Sequence, residues 1–80
     1  MLRKYIESAM LRAQYEMVAD DNSHYGEIPG LDGLWANAPT IDECREDLAS
    51  ALEDWIVAGL RLGHELPEID GIALFTPSIA

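Results

Sequence analysis

From residue 2 to residue 11 the apolar side chains Leu2, Tyr5, Ile6, Ala9 and Met10 recur at steps of three and four, the spacing that lines one face of a helix. Alternation follows over residues 13–19. Ala13, Tyr15, Met17 and Ala19 share one face of a strand there, and Gln14 and Glu16 point away. Asp20, Asp21, Asn22 and Ser23 are residues that bond their own backbone and tolerate turn geometry, and alternation resumes over residues 24–28, so the pair predicts a hairpin. Pro29, Gly30 and Gly33 break the pattern again, and residues 34–38 supply a third strand that stops at Pro39.

Thr40-Ile41-Asp42-Glu43 then has the form of a capping box, in which the Thr40 hydroxyl accepts from the Glu43 amide and the Glu43 carboxylate reaches back. The helix it opens carries Ile41, Cys44, Leu48, Ala51, Leu52, Trp55, Ile56 and Gly59 on one face, with Asp42, Glu46, Asp47, Glu53 and Asp54 opposite. Arg61 in the last turn, Gly63 as a left-handed cap and Pro67 beyond mark its end. Residues 72–75, bounded by Gly71 and Pro77, form a short apolar run that predicts a buried fourth strand, reached by a right-handed crossover from the third. The expected fold is α+β: an N-terminal helix over residues 1–11, then a β-β-β-α-β core over residues 13–76, with one long helix packed on the sheet in a single domain of residues 1–80.

Eighty residues, 49% hydrophobic and 25% charged, support one small core at most, so burial by self-association into a dimer or tetramer is expected. Fifteen acidic against five basic side chains give a net charge of −10, which repels phosphate backbones and argues against direct nucleic-acid binding. Such a charge keeps a small protein in solution and can also steer a basic protein partner into contact. No apolar run is long enough for a signal peptide or a membrane span, and the single Cys44 cannot form an intrachain disulfide, so a cytoplasmic location is expected.

Candidate chemistry is sparse. A meander followed by helix and strand also opens a ribonuclease H-like fold, whose two-metal chemistry needs carboxylates converging from adjacent strands and a helix. Glu16 lies on the polar face of the first strand, residues 72–75 offer no carboxylate, and the helix acids lie opposite the apolar stripe. His24, Cys44 and His64 lack metal-ligand spacing, and Cys44 falls on the core face of its helix. Gly26, Gly30 and Gly33 fall at expected turns and form no phosphate-cradling loop. The expectation is therefore no enzyme, no cofactor and no metal. Trp55, on the helix stripe, is expected in the core. Trp35 is expected on the uncovered side of the sheet, where Tyr15, Met17, Tyr25, Glu27 and Trp35 are the candidate interface residues.

The segments Tyr25-Gly26-Glu27-Ile28-Pro29-Gly30-Leu31-Asp32-Gly33-Leu34-Trp35-Ala36, Thr40-Ile41-Asp42-Glu43-Cys44 and Gly63-His64-Glu65-Leu66-Pro67 together resemble the HicB-like antitoxin family of type II toxin–antitoxin systems, over nearly the whole chain. The resemblance implies a partial ribonuclease H-like fold without catalytic carboxylates. It also implies a protein that neutralises a small basic HicA-type toxin, an mRNA-cleaving ribonuclease, by direct contact. Many members of that family carry a C-terminal DNA-binding part. This chain stops five residues after Phe75, so a short form without that part is expected. The alternative is a self-associating structural module with no surviving toxin partner.

Overall fold

The computed structural model describes residues 2–64 and 66–72. Helix α1 (Leu2–Leu11) leads into strand β1 (Gln14–Val18), then β2 (Ser23–Glu27), β3 (Trp35–Ala38) and the long helix α2 (Ile41–Arg61). The three strands form one antiparallel sheet in the order β1-β2-β3, as the meander pattern predicts. Helix α2 covers one face of that sheet and α1 packs on α2, which gives the expected α+β arrangement. The expected fourth strand lies almost entirely outside the described residues.

The register assigns every strand residue to a face. Tyr15 pairs with Gly26 and Gly26 with Ala36, while Met17 pairs with His24 and His24 with Ala38; these rows face α2. The rows Gln14, Glu27, Trp35 and Glu16, Tyr25, Asn37 face the other way. What the sheet presents to the helix is therefore mostly small. Gly26, Ala36 and Ala38 are buried, and the large core side chains come from α2 as Cys44, Leu48, Leu52 and Ile56. Trp55, expected in the core, is half-buried and packs at the margin of this cluster. Ile56 and Gly59 are the buried residues of this stretch of the helix.

The link between β2 and β3 is a packed loop as well as a break. Leu31 N–H donates to the Ile28 carbonyl at 3.1 Å and Leu34 N–H to the Leu31 carbonyl at 3.3 Å, so Pro29-Gly30 and Asp32-Gly33 each occupy the centre of a tight turn. Two turns in succession bring Ile28, Leu31 and Leu34, three residues apart, into the core. In the β1–β2 connection Asp21 Oδ1 accepts from the Ser23 amide at 3.0 Å, a side-chain bond that closes the hairpin. Hydrogen bonding from the side chain and amide of Ser23 holds the Asp21 carboxyl below its usual range.

Both ends of α2 follow the sequence signals. Thr40 Oγ1 accepts from the Glu43 amide at 3.1 Å, while the Glu43 carboxylate stays exposed, so the Thr40 half of the predicted box is the half that forms. At the other end Gly63 N–H donates to the Leu60 carbonyl and His64 N–H to the Gly59 carbonyl, a Schellman cap with Gly63 at φ +72°. The chain then returns along the helix. Leu66 packs so closely over Gly59 that a β-carbon there would lie 2.6 Å from Leu66 Cδ2. Ile69 is buried, and the Tyr5 hydroxyl donates to the Pro67 carbonyl at 2.7 Å. Burial pushes the Tyr5 phenol pKa up, so it stays a donor.

Asp70 and Gly71, both at positive φ, turn the chain so that Ile69 and Ile72 exchange backbone bonds of 3.0 and 2.7 Å. Asp-Gly with two positive φ values is the pattern of a type I′ hairpin turn. Ile72, the first residue of the expected crossover strand, thus pairs antiparallel with Ile69, and residues 73–75 lie outside the described residues. An ion pair between Arg12 and Asp70 ties this turn to the end of α1; both side chains are about half exposed, so its contribution is below about 1 kcal/mol.

Candidate functional site

The open face of the sheet carries stacked aromatic and acidic side chains in register. Trp35 opens β3 with its side chain pointing out, 58% exposed, between the buried neighbours Leu34 and Ala36. Its ring stacks on Tyr25 with centroids 6.1 Å apart and planes 21° from parallel. The two residues are diagonal neighbours across β2 and β3, within reach for aromatic side chains. Glu27 lies beside both, directly opposite Trp35, and its Oε2 accepts from the Tyr25 hydroxyl at 3.4 Å. Glu16, opposite Tyr25, adds a second carboxylate, and Gln14 completes the row on β1.

Partial desolvation, then the charge and hydrogen bond of Glu27, then the charge of Glu16 push the Tyr25 phenol pKa up. The site is therefore an aromatic platform edged by negative charge, with a protonated phenol as donor. At the far end of β3 Asn37 Nδ2 donates to Ser23 Oγ at 2.8 Å and to the His24 carbonyl at 3.1 Å, which fixes the β2–β3 register on this side.

The five candidate interface residues do not form one patch. Tyr25, Glu27 and Trp35 share the open face, but Tyr15 and Met17 lie on the face toward α2. The reason is parity: pairing Tyr15 with Gly26 rather than with Tyr25 sends the two tyrosines to opposite sides. Met17, 62% exposed, lies on the less covered part of that inner face. Tyr15 is half-buried with the Arg45 guanidinium 6.0 Å from its ring centroid, a cation–π arrangement. Glu16, Gln14 and Asn37 take the open-face places expected for Tyr15 and Met17. Alternation along β1 separates these two groups, but the pairing with β2 decides which group faces the helix.

Gly26 is likewise reassigned. It sits within β2 and not at a turn, buried beneath the Tyr15 ring. A β-carbon there would lie 2.8 Å from Tyr15 Cδ1 and 3.2 Å from Cys44 Sγ. Gly26→Ala is expected to cost about 1–3 kcal/mol through overpacking, read as a lower urea midpoint. Adding Tyr15→Ala to Gly26→Ala should lessen that penalty, and equal losses with and without the Tyr15 ring would exclude the clash as its source.

Cys44 is a free, buried thiol whose Sγ lies 3.8 Å from the Ala36 carbonyl, and burial, then the charge of Asp47, push its pKa up. These surroundings are those of a packing residue rather than of a nucleophile. Among the described residues no group of three or more His, Cys, Asp or Glu side chains could hold a metal ion. No helix among the described residues is long and apolar enough to cross a membrane.

Comparison with known proteins agrees with the fold. A family model described as UPF0150-like matches residues 4–67, which include all five named elements apart from the first two residues of α1. The chain is also similar to a solved structure, the crystal structure of TTHA0281 from Thermus thermophilus. The two are 41% identical, with 96% of this chain and 95% of that one covered and a TM-score of 0.87. No curated protein matches the chain.

Proposed function

The chain belongs to the UPF0150-like family, and from that premise we propose that it is a HicB-like antitoxin that neutralises a small basic HicA-type mRNA-cleaving toxin by direct contact. The observation that carries the reading is the Tyr25–Trp35 stack on the open sheet face, edged by Glu16 and Glu27. Exposed, stacked aromatics are the usual anchors of protein interfaces, and carboxylates around them select a positively charged partner. The net charge of −10 favours a basic protein over a nucleic acid. A ribonuclease must carry positive charge where it holds RNA, so an acidic aromatic surface is suited to competing for that place. A cytoplasmic setting and a non-catalytic role belong to this reading.

Co-expression with the small basic product of the adjacent gene tests it. The wild-type chain is expected to co-purify with that product and to relieve its toxicity. Trp35→Ala and Glu27→Lys are expected to weaken capture at least about tenfold, the scale of a central interface residue. Trp35→Ala gives up the stack on Tyr25 and should lower stability by no more than about 1.5 kcal/mol, and the exposed Glu27→Lys should stay within about 0.5 kcal/mol of wild type. Capture that survives both substitutions unchanged, or an absence of any rescue by the wild-type chain, overturns the proposal.

A further inference from the structure

Helix α2 has a second exposed surface, on the side of the helix opposite its core stripe. In its N-terminal half this side is acidic, with Glu43, Glu46 and Asp47 exposed. The character changes after Asp54. Val57, 47% exposed, Ala58, Arg61 and Leu62, 70% exposed, line a shallow apolar depression together with Asp54. Residues 50, 54, 57, 58 and 61 fall at steps of three and four, so Ser50, Asp54, Val57, Ala58 and Arg61 form one seam along the helix. Its centre is small enough to let another helix approach closely.

The charges identify the occupant. Asp54 and Arg61 are seven residues apart, about 10.5 Å along the axis, which is too far for them to pair with each other. Neither has an ion-pair partner among the described residues. A second copy laid antiparallel, with a twofold axis between Val57 and Ala58, places Asp54 opposite Arg61 of the other copy, and Arg61 opposite its Asp54. The same axis sets Val57 against Ala58 twice. A parallel pairing would instead set Asp54 on Asp54 and Arg61 on Arg61. The antiparallel crossing also keeps the two acidic N-terminal halves apart, since each runs away from the axis in its own direction.

We propose that this seam is the interface of an isologous dimer, in which α2 of one copy packs antiparallel on α2 of another through Val57 and Ala58, with two reciprocal Asp54–Arg61 ion pairs. The surface is separate from the Tyr25–Trp35 face, so a dimer formed in this way presents two open sheet faces. The proposal does not depend on the antitoxin reading.

Sedimentation equilibrium on the full chain tests it, at an ionic strength of about 0.15 M where the Debye length of about 8 Å screens the mutual repulsion of two acidic copies. The wild-type chain is expected to dimerise. Asp54→Arg and Arg61→Glu alone should each weaken the dimer at least about tenfold, because each sets like charges against each other twice. The double variant Asp54→Arg/Arg61→Glu restores opposite charges across the axis and should recover affinity to within about threefold of wild type. A monomeric wild-type chain, a double variant no better than the single ones, or a dimer dispersed by Trp35→Ala and not by Arg61→Glu overturns the proposal. Unchanged melting of the monomeric variants separates loss of the interface from loss of the fold. Toxin capture by these variants would leave the antitoxin reading standing if the dimer proposal fails.

Discussion

Tyr5→Ala is expected to destabilise the protein by about 3–5 kcal/mol, the range for removing a fully buried aromatic side chain. Tyr5 is completely buried on α1, and its hydroxyl reaches the Pro67 carbonyl at 2.7 Å. The substitution therefore opens a cavity between α1 and α2 and leaves a carbonyl without its donor. An 80-residue domain has only about 5–10 kcal/mol to lose, so much of this variant should unfold at low urea. Tyr5→Phe keeps the ring and removes only the hydrogen bond, at an expected cost of about 1 kcal/mol, or up to about 2 with the carbonyl unsatisfied. Urea midpoints with unchanged slope measure both. A loss under about 1 kcal/mol for Tyr5→Ala, well below the usual range for such a truncation, would mean that α1 and the Pro67 segment do not meet through this side chain.

The second large effect is expected at Leu48. This residue is fully buried in α2, and the fully buried residues of the sheet face beneath that helix are the small Gly26, Ala36 and Ala38. Large side chains opposite a truncated leucine can relax into the space it leaves, but glycine and alanine cannot. Leu48→Ala should therefore fall in the upper half of the range for leucine truncation, about 3.5–5 kcal/mol. Leu48→Met conserves most of the volume and should cost under about 1.5 kcal/mol. Trp55→Ala, on the half-buried margin, should cost less than Leu48→Ala despite the larger side chain. A Leu48→Ala loss near about 1 kcal/mol, below the leucine range, would show that the backbone of the sheet closes over the cavity.

Most of the fold is legible in the sequence because local signals and burial agree. The residue 2–11 periodicity corresponds to α1, Thr40 caps α2, and Gly63 turns its end. The three strands appear within one residue of their expected bounds at either end. What sequence leaves open is the relation between elements. Alternation gives each strand two faces but not which face meets the helix, and this separates Tyr15 and Met17 from Tyr25 and Trp35. The buried place of Gly26 follows from the ring that lies over it, which no property of a glycine announces. The Asp70-Gly71 turn does have a local signal, but the apolar run after it favours a crossover. The Tyr5–Pro67 bond has no local signal at all.

That bond spans 62 residues, whereas the meander and the cap of α2 are made between near neighbours in sequence. Contacts of short separation form early in folding, and a tie between distant segments closes after most of the chain is in place. Its loss should therefore speed unfolding far more than it slows folding. The hydroxyl of one tyrosine near the start of the chain thus acts as a latch on the lifetime of the native state.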